Sequence, residues 1–309
     1  YAQLNADLSS PLLNYATQQR TAPGSTFKMV SATAGLQEGV INTSTVIRCN
    51  GIFEKITPSP RCWIYPRGTH GNLTVSGGIE NSCNVFFYET AYRLGTEGDH
   101  YNSDLGLEKL AKYADLYGLS EKSGVEISEY QPKVSDFDAV RSAIGQGTHN
   151  YTTVGLARYV TTVANSGTCY NLSILDKLTD SKGNVIEDYT PEVRNTVDLD
   201  NSLWNAIHSG MRQVVEKKKY YDDLAVHVAG KTGTAQQDKT RANHALFVSY
   251  APYENPEISV SVRIANGYSS DYAAQTARDV YKYYYGLAKE EELVTGTADT
   301  LDATAGTGD

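Results

Sequence analysis

The chain has 309 residues, 40% of them hydrophobic and 20% charged, and its 27 basic against 36 acidic side chains leave a formal net charge of −9. That is enough apolar material for a buried core, which excludes fibrous and globally disordered chains. The acidic balance offers no overall attraction for nucleic acid or for an anionic membrane.

The chain starts at Tyr1 with no charged-then-apolar leader, and no apolar run approaches a membrane span. It reads as a piece of a longer protein. Residues 1–22 are polar and irregular. Pro23-Gly24 then leads into Ser25–Glu38, which ends at Gly39, and this punctuation predicts a helix. Residues 40–72, with Pro58, Pro60 and Pro66, read as loops. Leu73–Leu94 has helical spacing on both sides of Asn81-Ser82-Cys83-Asn84, so two short helices with a polar break are expected.

Leu107–Tyr117, Thr152–Ala164 and Ser202–Glu216 are further predicted helices. Ala225–Ala229, His244–Ala251 and Ile258–Ala265 alternate like consecutive antiparallel strands, and Ser270–Ala288 closes the pattern as an amphipathic helix. The fold class is α+β: an antiparallel sheet flanked by helices, with a mostly helical subdomain. Residues 1–288 form one domain. Residues 289–309 set one base, Lys289, against six acids and predict an acidic, disordered tail.

Three short patterns carry chemistry. Ser25-Thr26-Phe27-Lys28 puts a hydroxyl and an amine one helical turn apart. Such a serine becomes a nucleophile when the lysine, stripped of its proton by burial or a second cation, acts as its base. Ser82-Cys83-Asn84 puts a hydroxyl and an amide at the helix break, where helix capping is the competing role. Lys231-Thr232-Gly233-Thr234 supplies a cation, two hydroxyls and a glycine that admits a close substrate. Gly230-Lys231-Thr232 is not a phosphate-binding loop, because Ala225 stands where that motif needs glycine. Of two similar tripeptides, His208-Ser209-Gly210 lies inside a predicted helix, and Lys122-Ser123-Gly124 lacks a following strand meander and closing helix.

Cys49, Cys62, Cys83 and Cys169 form no C-x-x-C pair, and the six histidines form no H-x3-H pair. No metal site and no cofactor are expected. Cys49 and Cys62 either close a short disulfide loop or stand as unpaired buried thiols.

With S-x-x-K, S-x-N and K-T-G in that order, the chain resembles the penicillin-binding transpeptidases, more closely the class B monofunctional kind, over about residues 10–288. Arg61-Cys62-Trp63, His70-Gly71 and Ala143-Ile144-Gly145-Gln146-Gly147 add to the likeness, and Lys122–Ile127 looks like that family's loop before the glycine-rich segment. The resemblance implies a β-lactamase/transpeptidase-like fold and a peptidoglycan D,D-transpeptidase acting on D-Ala-D-Ala stem peptides. Ser25 would form the acyl-enzyme, Lys28 would be its base, and Ser82 would relay a proton with Lys231. Asn84, Thr232, Gly233 and Thr234 would hold substrate. The N–H groups of Ser25 and Thr234 would form an oxyanion hole, each donor worth about 3–4 kcal/mol.

β-Lactams would acylate Ser25. Partners implied are stem peptides and a membrane glycosyltransferase, with no nucleic acid. The location implied is the extracytoplasmic face of the bacterial membrane, with an N-terminal anchor absent from this chain. The family's sheet begins with two strands ahead of S-x-x-K, and residues 1–22 hold no such pair, so Ile258–Ala265 is expected at an exposed edge. Alternatives sharing the motifs are a serine β-lactamase, a D,D-carboxypeptidase and a non-catalytic β-lactam sensor. No E-x-x-L-N segment, the class A lactamase signature, is present.

Overall fold

A computed structural model describes residues 1–7, 10–235 and 241–294. Its sheet has three antiparallel strands, Ala229–Ala235, His244–Ala251 and Ile258–Ile264, adjacent in chain order. Period-two alternation sorts the central strand onto two faces. Ala245, Phe247 and Ala251 pack with Ala273, Ala274, Ala277 and Tyr281 of the Ser270–Tyr284 helix. Leu246, Val248 and Tyr250 join the larger core with Leu156 and Val160 of the Thr153–Ala164 helix. Both faces are therefore covered, and every central-strand residue is buried. In Ile258–Ile264, by contrast, every residue is half-buried. Among the described residues this strand has a strand partner on one side only, as expected for an edge that lacks its neighbours.

The helical part is built around Lys28–Gln37. Its sequence, rich in Ala, Ser, Thr and Gly, has no polar face, and it is buried from Lys28 through Leu36. A helix without a solvated side must be enclosed. Asn84–Leu94, Ser103–Leu116 and Asn201–Glu216 pack round it. The predicted break in Leu73–Leu94 is present: Val75–Glu80 and Asn84–Leu94 are separate helices.

Several boundaries differ from the sequence reading. The Lys231 strand runs Ala229–Ala235 rather than Ala225–Ala229. Pairing with His244–Ala251 starts at Ala229, so partner availability rather than local β-propensity sets its ends. The closing helix stops at Tyr284, where Gly286 takes φ +65°. Residues 168–196 form two small two-stranded sheets, a hairpin and the strand pair that encloses it, which the sequence reading passed over. Their strands are mostly exposed and carry no burial alternation to detect. The loop region 40–72 contains the strand Ile47–Cys49, paired with Gly71–Leu73. Within residues 1–22 there are two short helices, and Arg20–Thr21 pairs with Tyr151–Thr152 rather than joining the main sheet. Glu290–Leu293 is a single exposed helical turn; the tail from Thr295 lies outside the described residues. No helix among the described residues is long and apolar enough to cross a membrane.

Candidate active site

Ser25 lies in a 3-10 turn, Gly24–Phe27, that runs directly into the Lys28–Gln37 helix. Residues three apart eclipse in such a turn, so Ser25 and Lys28 lie on one side of it. Ser25 is 8% exposed and Lys28 is fully buried. The turn is clamped from behind by the glycine-rich segment. Gly24 donates its N–H to the Gly145 carbonyl (3.1 Å). Gly145 has φ +74°, and a Cβ there would meet the Gly24 oxygen at 2.0 Å. Only glycine allows this approach.

Ser82 occupies the break between the two short helices with φ +49°, a left-handed conformation that non-glycine residues rarely take. Here the three motifs converge. Lys28 Nζ donates to the Ser82 carbonyl (2.7 Å), to Ser82 Oγ (3.1 Å) and to Asn84 Oδ1 (2.7 Å). Lys231 Nζ donates to the same Ser82 Oγ (2.9 Å) and to the Thr232 carbonyl (3.0 Å). Lys231 is also fully buried. On the strand, Gly233 lies against the nucleophile turn: a Cβ there would fall 2.8 Å from the Pro23 oxygen and 2.8 Å from Thr26 Cγ2. Thr234 meets the same turn, since a Cβ on Gly24 would lie 2.4 Å from its carbonyl oxygen. Among the described residues the strand's outer edge has no strand partner, which leaves its backbone groups open to an extended peptide.

A buried cluster of two cations and one hydroxyl thus lies next to the turn that carries Ser25. The profile of the "Penicillin binding protein transpeptidase domain" matches residues 2–282. The chain belongs to that family.

Its relatives are class B penicillin-binding proteins. The transpeptidase domain is 29% identical to the peptidoglycan D,D-transpeptidase MrdA of Haemophilus influenzae, over 92% of this chain and 47% of the relative. It is 30% identical to penicillin-binding protein 2A of Bacillus subtilis, over 88% and 42% respectively. The chain thus spans about half the length of these curated relatives. Among solved structures, PBP2 of Pseudomonas aeruginosa in complex with WCK 5153 superposes with a TM-score of 0.79 at 25% identity, covering 94% of this chain and 66% of that one. A peptidoglycan synthase complex that coordinates polymerization and crosslinking superposes with a TM-score of 0.80 at 26% identity, covering 94% and 50%.

Two parts of this transpeptidase domain were not legible beforehand. The decoy Lys122-Ser123-Gly124 is held by the buried Glu129 carboxylate, which accepts from Ser123 N–H (2.8 Å), Ser123 Oγ (2.7 Å) and Thr152 Oγ1 (2.8 Å). That role is structural.

The second is a cluster able to hold a metal ion where the sequence pointed to none: Cys49, Cys62, His70 and Cys83 each offer a ligand atom, and all four atoms lie within 4.8 Å of one another. All four cysteines are unpaired and buried. Four separate segments deliver the ligands, so no short spacing announces them. Cys49 pairs across the small sheet with Gly71, beside His70; Cys62 N–H donates to Gly51 O (2.8 Å); Cys83 caps the Asn84–Leu94 helix. Zinc bound tetrahedrally to sulfur at ~2.3 Å and nitrogen at ~2.0–2.1 Å requires an N···S separation of about 3.6 Å. His70 Nδ1 lies 3.5 Å from Cys62 Sγ and 3.7 Å from Cys49 Sγ, so the donor set fits. Burial works against charge on His70, but the Cys49 and Cys62 thiols outweigh it and hold its pKa up to about 9. Hydrogen bonds from Cys49 and then Cys83 push the Cys62 thiol down, and hydrogen bonds with Cys49 and Cys62 push the Cys83 thiol up. His70, Trp63, Ser82 and Thr232 all line one cleft of about 260 Å³, so the cluster borders Ser82 and Thr232.

Proposed function

We propose that the chain is the catalytic portion of a peptidoglycan D,D-transpeptidase that cross-links stem peptides through a Ser25 acyl-enzyme and is inhibited by β-lactams. The single observation that carries this reading is the meeting of Lys28 and Lys231 at Ser82 Oγ. Two buried ammonium groups at one hydroxyl repel each other, and loss of one proton relieves that repulsion. Lys28, one turn from Ser25, then takes the Ser25 hydroxyl proton as Ser25 Oγ attacks the carbonyl carbon of the penultimate D-Ala. The bond to the terminal D-Ala nitrogen breaks, and that nitrogen receives the proton of Ser82 Oγ, which Lys28 or Lys231 replaces. An amine of a second stem peptide attacks the ester, forms the cross-link and returns Ser25 to its hydroxyl form.

Asn84 holds the donor peptide at the cleft mouth. Thr232 and Thr234 bind the terminal carboxylate, Gly233 admits the substrate backbone, and the N–H groups of Ser25 and Thr234 face the developing oxyanion. Cys49, Cys62, His70 and Cys83 would hold a zinc ion, which would tie their four segments together. The whole protein works on the extracytoplasmic face of the bacterial membrane, held by a segment outside this chain, with a membrane glycosyltransferase as partner. Fluorescent penicillin is the test. Stable labelling that disappears in Ser25→Ala, together with cross-linking of D-Ala-D-Ala stem peptides, is the expected result. Rapid loss of label with antibiotic hydrolysis would mean a lactamase, release of D-Ala without cross-links a carboxypeptidase, label without any peptide turnover a sensor, and no Ser25-dependent label would refute acyl transfer.

A further inference from the structure

In the reading above, Ser82 Oγ protonates the departing D-Ala nitrogen and Thr232 helps to hold its carboxylate. The D-Ala therefore vacates a space bordered by these two residues. The acceptor amine must enter that same space, because the new C–N bond forms where the old one broke, with Ser82 working in reverse as a base. One cleft of about 260 Å³ opens from there: Ser82 and Thr232 line it together with Trp63, Asn81, Glu80 and Lys217. Clefts that enclose whole drug-sized ligands run to roughly 300–1,000 Å³, so this one suits a single extended side chain.

Its walls are of two kinds. Trp63, with Ile64 and Val214, gives an apolar side. The other side carries an ion pair. Lys217 Nζ lies 2.7 Å from Glu80 Oε1 and donates to Asn81 Oδ1 (2.9 Å). Glu80 Oε2 accepts from Asn81 Nδ2 (3.3 Å). An ammonium has three N–H donors and a carboxylate about four lone-pair sites, so each group keeps capacity for a ligand. The two side chains are 53% and 25% exposed, which leaves that capacity within reach. Lys218, in the same wall, is turned to Asp271 (2.5 Å) and is only 15% exposed. A ligand carboxylate at the pair would meet Glu80, and a ligand ammonium would meet Lys217. A donor and an acceptor side by side instead match an amide, whose carbonyl accepts from Lys217 while its N–H donates to Glu80.

We propose that this cleft is the acceptor subsite: Lys217 and Glu80 clasp a backbone amide of the acceptor stem peptide, and its amine-bearing alkyl side chain runs along Trp63 to the Ser25 ester. The inference rests on the acyl-transfer reading above and names its second substrate's seat. The neutral amine attacks the ester carbon, a C–N bond forms and the bond to Ser25 Oγ breaks. The amine's surplus proton passes through Ser82 Oγ and Lys28 to Ser25 Oγ. Lys217 and Glu80 act on binding alone, so they favour a peptide-borne amine over a bare one.

The test gives the purified chain a D-Ala-D-Ala stem peptide as donor and, in separate reactions, two acceptors: a stem tripeptide whose third residue carries the amine, and that third residue as the free diamino acid. Both offer the same amine on the same carbon, but only the tripeptide offers peptide groups on both sides of the side chain. Mass spectrometry counts transfer products against hydrolysis. The wild type should favour the tripeptide. Lys217→Ala and Glu80→Gln should each lower the ratio of tripeptide to free-residue transfer by about 10-fold, as expected for a lost hydrogen bond to a charged group, through a higher half-saturating tripeptide concentration.

Had the pair only propped the helix break at Ser82, both transfers would fall together and the ratio would stand. An unchanged ratio in either variant overturns the proposal, and so does a wild type that uses the two acceptors equally. Ser25-dependent penicillin label with transfer to neither acceptor defeats the cross-linking reading and the inference with it. Transfer without tripeptide preference defeats the inference alone.

Discussion

His149 should make the domain lose stability on mild acidification. It is 4% exposed, and its ring packs on Phe27 of the nucleophile turn at a centroid distance of 4.2 Å. Nδ1 accepts from the Ser135 N–H (3.0 Å) and lies 2.7 Å from the Tyr151 hydroxyl; Nε2 lies 3.2 Å from the Ser142 carbonyl. This network suits the neutral ring with its proton on Nε2. Burial, the leading cause, holds its pKa down to about 3. The unfolded chain takes up that proton near the ordinary value of ~6.5. Between pH 6.5 and 3 the unfolded state therefore binds more protons, and stability falls as pH falls, by up to about 1.4 kcal/mol per pH unit.

At pH 5 the His149 contribution to this loss is about 2 kcal/mol relative to neutral pH. His208, whose pKa burial lowers to about 4, adds to the loss in the same direction. His149→Gln keeps an acceptor and a donor but cannot ionise. Thermal unfolding followed by tryptophan fluorescence at submicromolar concentration, at pH 7.5 and pH 5, compares the two proteins. The variant's melting temperature should drop less than the wild type's by roughly 4 °C. Equal drops in both proteins would show that His149 charges freely in the fold and that its burial has been misjudged.

Three further outcomes follow from the geometry. Ser82→Ala removes the one hydroxyl shared by Lys28 and Lys231 and should slow penicillin acylation by about 10²- to 10⁴-fold; a wild-type rate would remove Ser82 from the proton path. Gly145→Ala must displace Gly24, since its Cβ would sit 2.0 Å from the Gly24 oxygen. Acylation should fall about 10²-fold, and unchanged label kinetics would mean that the turn yields without moving Ser25. The 309-residue chain, with Ile258–Ile264 paired on one side only, should self-associate as concentration rises. Light scattering reads this, and a monodisperse monomer with cooperative unfolding would refute it.

The sequence by itself set out the three motifs proposed to carry the chemistry, because each is written at short range. Ser25 and Lys28 are one turn apart on any helix, and the residues of Lys231–Thr234 keep their spacing on any strand. The polar run Asn81-Ser82-Cys83-Asn84 marked the helix break, and Pro23-Gly24 and Gly39 marked the ends of the Ser25–Glu38 helix. Local pattern could not show which distant groups meet. Lys28 and Ser82 are 54 positions apart, and Ser82 and Lys231 are 149 apart. Core packing of helices against a sheet closes those distances, and the family order of motifs anticipated the outcome without deriving it. The Cys49–Cys62–His70–Cys83 cluster had no such order to announce it, so only the structure revealed it. Its ligands come from a strand, a loop, a turn and a helix cap, and their convergence is a property of the packed chain rather than of any segment. The same reason explains the shifted Lys231 strand: where it begins depends on the partner it pairs with, which lies beyond the reach of local propensity.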